Sequence, residues 1–156
     1  MNPGGQKTEA LLKVMEGQPV IPVLRIDRLD DAVPLARALA RGGLPAIEIT
    51  LRTPVALEAI RLAAREVPEA VVGAGTILDA AQFAQAEQAG ARFIVSPGLT
   101  PELVAAAETS AVPLLPGAIT PGEIMTARQA GYFLLKFFPA GQAGGADFLK
   151  ALASPL

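Results

Sequence analysis

Residues 46–74 read AIEITLRTPVALEAIRLAAREVPEAVVGA. This stretch decides the fold. A five-residue β-rich run, residues 46–50, is followed by an alanine-rich helical pattern over residues 55–66 and then by a second β-rich run, residues 71–74. Working outward, the same unit recurs. Strands are expected at residues 20–24, 46–50, 71–74, 92–96, 112–115 and 133–138, starting every 20 to 26 residues. Helices are expected at 30–40, 55–66, 80–89, 101–108, 121–130 and 146–153, with one more at 8–16 ahead of the first strand. A repeated strand–helix unit implies parallel strands joined by right-handed crossovers. Even spacing without a large insertion favours a (β/α) TIM-type barrel over a doubly wound sheet, in one domain spanning residues 1–156. Only six of the eight βα units are present, and a closed barrel typically takes ~200 or more residues. The expectation is therefore a truncated barrel with two open sheet edges, which invite pairing with another chain.

Punctuation supports these elements. Thr53, Thr100 and Thr120 each precede a proline and are expected as N-caps with Pro at N1. Thr120 and Glu123 have capping-box spacing. Gly42, Gly90 and Gly131 are expected as left-handed C-terminal caps.

Composition narrows the chemistry. Of 156 residues 51% are hydrophobic and 18% charged, enough for a sizeable core, and the net charge is −2. No basic block appears, which argues against nucleic acid as a partner. Apolar runs are short and broken by Gly or Pro, so none spans a bilayer, and no signal-type start is seen. A cytoplasmic protein is expected. There is no Cys and no His. Zinc would need carboxylates alone, and Ser-His or Cys-His pairs cannot be built. Proton transfer falls to Glu, Asp, Lys or Tyr.

Two strands carry polar groups where a barrel interior should be. In residues 133–138, alternation places Phe133, Leu135 and Phe137 toward the helices and Leu134, Lys136 and Phe138 inward. A desolvated lysine favours the neutral amine, which can attack a ketone; a snorkelling lysine or a structural ion pair is the alternative. In residues 46–50, Ile47 and Ile49 face the helices while Ala46, Glu48 and Thr50 face inward. Glu48 is either half of a structural pair or an acid–base group. Arg52 and Arg25 lie just past strands two and one, at the rim where barrel chemistry belongs. Each is either a solvated loop residue or an anion ligand. Gly73-Ala74-Gly75-Thr76 could admit an anion to the backbone. Ser96-Pro97-Gly98 and Pro116-Gly117 turn the chain or shape a pocket.

Taken together, Pro22-Val23-Leu24-Arg25, Glu48-Ile49-Thr50-Leu51-Arg52-Thr53, Gly73-Ala74-Gly75-Thr76, Ser96-Pro97-Gly98 and Lys136-Phe137-Phe138-Pro139-Ala140 resemble the family of 2-keto-3-deoxy-6-phosphogluconate (KDPG) and 4-hydroxy-2-oxoglutarate (KHG) aldolases. The resemblance implies a class I, Schiff-base lyase without metal or cofactor, a homotrimer in the full-length family, acting on a phosphorylated keto acid to release pyruvate. Lys136 would form the imine and Glu48 would relay protons through water. Arg52 and Thr76 would hold the substrate carboxylate, with Arg25 lining the same pocket and Pro97 and Phe138 walling the imine. The sister family acting on the phosphogalactonate has Asn at the place of Arg52, so the gluconate type is favoured. The family's phosphate loops follow strands seven and eight, which this sequence lacks. The expectation is weak or absent activity for this chain; the alternative is an impaired barrel fragment that acts only as a self-associating module. A phosphate-binding barrel of another class has less support.

Overall fold

The computed structural model describes residues 3–154; Met1, Asn2, Pro155 and Leu156 lie outside the described residues. The order is α1 (Pro3–Met15), β1 (Val23–Leu24), a 3₁₀ turn (Leu29–Asp31), α2 (Ala32–Arg41), β2 (Ala46–Thr50), α3 (Ala56–Glu66), β3 (Val71–Gly75), α4 (Ala80–Gln88), β4 (Ile94–Val95), α5 (Pro101–Thr109), β5 (Leu114–Leu115), β6 (Gly117–Ala118), α6 (Pro121–Gln129), β7 (Lys136–Phe137) and α7 (Gly145–Ala153). All strand pairs are parallel: β1 to β5 form one sheet in sequence order, and β6 pairs with β7. These are the six expected βα units of a barrel.

The first, fourth, fifth and sixth expected strands are shorter than expected, and at the first proline is the reason. Pro19 and Pro22 have no N–H to donate, and β1 begins only at Val23. The fifth strand, expected at 112–115, pairs only at Leu114 and Leu115, and beyond Pro116 an unexpected two-residue strand, β6, follows it. Leu114 and Leu115 pair with β4, while Gly117 and Ala118 pair with β7. Two backbone bonds stitch the parts together: Gly117 N–H donates to the Ser96 carbonyl (3.0 Å), and Lys136 N–H donates to the Pro116 carbonyl (2.9 Å). A Cβ at residue 117 would collide with the Pro97 carbonyl, so glycine is required for this close approach.

Alternation along the strands sorts two apolar layers. Ile47, Ile49, Val72, Ala74, Ile94 and Leu114 face outward and pack under the helices with Ala36, Ile60, Ala63, Phe83, Leu103 and Ala127. The helix side of this layer is rich in alanine, which lets helices approach the strands closely. The inner layer holds Leu11, Phe93 and Val95, with Val14, Ile21, Val71, Leu115 and Leu134 against them. The α1 residues Leu11 and Val14 therefore pack into the interior, on the side where strands begin. Phe93 fits because Gly73 on β3 has no side chain; a Cβ there would enter its ring. Gln18, buried, fixes the start of β2: its amide donates to the carbonyls of Val20 (2.8 Å) and Ala46 (2.6 Å), and its oxygen accepts from Ala46 N–H (2.8 Å).

Several local expectations need correction. Phe133 is 58% exposed rather than packed under helices, whereas Leu135 joins the outer layer and Phe137 stacks on Phe148 of α7 at 5.9 Å. Thr53 does not cap α3, which starts at Ala56; its hydroxyl donates instead to the Ile26 carbonyl (2.6 Å). Gly42 has φ −76°, and the left-handed position after α2 is Gly43 (φ +87°). Gly90 and Gly131 are left-handed as expected, and Thr100 and Thr120 cap α5 and α6, the latter in a complete capping box. After α2, α4 and α6 the same pair of backbone bonds recurs: Leu44 to Leu39, Ala91 to Ala86 and Tyr132 to Ala127, each beside a glycine N–H bonded to the third residue before it. No described helix is long and apolar enough to cross a membrane.

Candidate active site

A cavity of about 430 Å³ opens where the parallel strands end, lined by Val23, Glu48, Thr50, Arg52, Thr76, Pro97, Lys136 and Phe138. Six of the seven residues singled out from sequence meet here. The seventh, Arg25, does not line it; its guanidinium pairs with Asp27 at 2.9 Å, both side chains mostly in solvent. The loop after β1 turns the arginine away, and strand periodicity carries no information on that turn. Val23 and Thr50 line the cavity without having been singled out. Both were readable as rim positions, since Thr50 is the inward residue two places after Glu48.

Glu48 sits in the middle of β2, held by backbone bonds and only 4% exposed. Its carboxylate lies against β3 at Gly75, where any Cβ would collide with Oε1. Oε1 is buried and has no hydrogen-bond partner among the described residues. Its nearest cation is the Lys136 amine, 3.8 Å away, within reach of Coulomb attraction and too far for a direct hydrogen bond. Burial raises the Glu48 pKa above the usual carboxylate value; Lys136 and then Arg52 oppose that rise without cancelling it.

Lys136 stands on β7, across the cavity from β2. Its side chain is 27% exposed, so solvent reaches the amine rather than being shut out. The Nζ atom lies 4.9 Å from the centroid of the Phe138 ring, which screens one side of it. The Phe138-Pro139 peptide bond is cis. Arg52 Nε donates to Thr50 Oγ1 (3.0 Å). Thr76, after β3, is the one described non-glycine residue with positive φ (+61°). A β-branched residue pays for that conformation, and such strain clusters at functional sites. Among the described residues no group of three or more Asp or Glu side chains could hold a metal.

An amine, a single buried carboxyl and an arginine are thus gathered at the C-terminal ends of parallel strands, the rim where barrel enzymes carry their chemistry. The comparisons with known proteins agree. Residues 11–156 match the family described as KDPG and KHG aldolase. The chain belongs to that family. It is 49% identical over 137 residues to the KHG/KDPG aldolase of Escherichia coli K12, covering 88% of this chain and 64% of that protein. A Zymomonas mobilis KDPG aldolase crystallised with 3-phosphoglycerate superposes with a TM-score of 0.88 at 48% identity, over 93% of this chain and 69% of the other. A Legionella pneumophila KDPG aldolase, with pyruvate captured as a covalent carbinolamine intermediate, superposes with a TM-score of 0.86 at 44% identity, over 98% and 70%. This chain thus spans roughly two thirds of the length of its relatives.

Proposed function

We propose that this chain carries the imine-forming centre of a class I aldolase that cleaves KDPG to pyruvate and glyceraldehyde 3-phosphate, and 4-hydroxy-2-oxoglutarate to pyruvate and glyoxylate. The observation that carries this reading is the Lys136 amine facing the buried Glu48 carboxyl across 3.8 Å, in a cavity that also holds Arg52 and Thr76. The 3.8 Å gap keeps the two from bonding directly and suits a relay through one water.

In the proposed sequence Arg52 and Thr76 orient the substrate carboxylate, which places C2 beside Lys136. The Lys136 amine, once it has given up its proton, adds to C2 and gives a carbinolamine. Glu48, whose burial favours the protonated form, supplies the proton that lets water leave, and an iminium results. The Glu48 carboxylate then takes the C4 hydroxyl proton through water. The C3–C4 electron pair passes into the iminium, the aldehyde departs, and an enamine remains. Protonation at C3 and hydrolysis release pyruvate and restore the amine. Pro97 and Phe138 wall the imine. Arg52, in place of an uncharged amide, favours the gluconate-type substrate. A homotrimer, as the resemblance implies, and a cytoplasmic setting, as the sequence pattern suggests, belong to the same proposal.

Borohydride reduction in the presence of pyruvate tests the central step. A covalent adduct on Lys136, seen by peptide mass spectrometry and lost in Lys136→Met, is the expected outcome. No adduct, or adducts confined to Lys7, Lys13 or Lys150, would sink the proposal.

A further inference from the structure

Thr50 is 1% exposed, yet its hydroxyl is engaged twice at the edge of the cavity. Oγ1 donates to the Leu24 carbonyl (2.8 Å) and accepts from Arg52 Nε (3.0 Å). The first bond fixes the hydroxyl proton, because Leu24 offers only an acceptor. The oxygen lone pairs are then turned toward Arg52. Three further contacts hold the backbone on either side: Leu51 N–H donates to the Gly75 carbonyl (2.8 Å), Arg52 N–H to the Thr50 carbonyl (2.8 Å), and the Thr53 hydroxyl to the Ile26 carbonyl (2.6 Å).

We propose that Thr50 is a positioning residue for Arg52, reserving Nε and presenting only the terminal Nη1/Nη2 edge of the guanidinium to a bound carboxylate. A guanidinium can meet a carboxylate through its Nε/Nη2 side or through its two terminal nitrogens. With Nε already bonded, the side-on mode is closed and the end-on mode remains. A long side chain on a loop is thereby held in one pose before substrate arrives, which lowers the ordering cost of binding. Thr50 needs no contact with the reacting atoms for this role.

The inference rests on the aldolase reading, and the test separates the two. Borohydride trapping at Lys136 is measured as a function of concentration with pyruvate and with acetone, a ketone lacking the carboxylate. Thr50→Val keeps the shape of the side chain and removes the hydroxyl. It should raise the half-saturating pyruvate concentration by about tenfold, the loss of one hydrogen bond to a charged group, while maximal trapping stays within about twofold. Acetone trapping should not change, and Thr50→Ser should restore pyruvate binding to near the unaltered value. Thermal melting reports whether Thr50→Val folds. If it does not, Thr50→Cys, whose sulfur is a weak acceptor of similar size, should show the same selective loss for pyruvate. Equal losses with pyruvate and acetone would make Thr50 a packing residue and overturn the inference, as would an unchanged pyruvate curve. No trapping with either ketone by the unaltered chain would overturn the aldolase reading, and this inference with it.

Discussion

Glu48 is a carboxyl whose proton the fold holds more tightly than water does. Its raised pKa comes first from burial, with the attraction of Lys136 and Arg52 only partly offsetting it. The folded state therefore binds the Glu48 proton more tightly than the unfolded chain does. Its contribution to stability is complete below the ordinary glutamate value and is lost as pH rises through the raised value. Glu48→Gln, which keeps the shape without the charge, should melt higher than the unaltered chain at neutral pH. The difference should vanish in acid. Melting curves across pH check this, and a gap that widens in acid would contradict it. At this scale the sequence was informative because charge was rare: within the expected strands Glu48 is the one carboxylate and Lys136 the one lysine. Arg25 was misplaced because its direction depends on the loop path. The Gly75 vacancy that accommodates Glu48 depends on strand register, Glu48 opposite Gly73 and Thr50 opposite Gly75, which no single strand discloses.

Helix ends were legible where the chemistry is local. Thr120 Oγ1 accepts from Glu123 N–H (3.3 Å), while the Glu123 carboxylate accepts from the Ile119 (2.9 Å) and Thr120 (2.8 Å) N–H groups. These backbone bonds, with that from the Thr120 hydroxyl, hold the Glu123 pKa below the usual carboxylate value. The sign is opposite to that of Glu48: the Glu123 contribution is present above the ordinary glutamate value and is lost as pH falls through the lowered one. Thr120→Ala should cost about 1 kcal/mol by urea denaturation at neutral pH. An unchanged midpoint and slope would show that α6 does not depend on its cap. Thr53 carries the same Thr-Pro signature and fails as a cap, since its hydroxyl is claimed by Ile26 on the neighbouring loop. A tertiary partner outcompeted the local one, and only the three-dimensional arrangement reveals it.

Across the whole molecule, the alternation of β-rich and helical runs was enough to specify parallel strands, their order and the rim that bears the site. Where each ladder stops was not readable, because that depends on which neighbour a proline faces. The interruption at Pro116 matters most. Glu48 belongs to the five-stranded sheet and Lys136 to the two-stranded ladder beyond the proline. The carboxyl and the amine therefore sit on two ladders joined at Pro116 by the chain itself and by the bond from Gly117 N–H to the Ser96 carbonyl. Local opening costs less than global unfolding where few bonds cross a boundary. On gradual heating, imine trapping with pyruvate should fade before the circular dichroism of the helices does; coincident loss would show that the two ladders open as one. Loss of that junction alone would part the Glu48 carboxyl from the Lys136 amine while each ladder kept its own pairing.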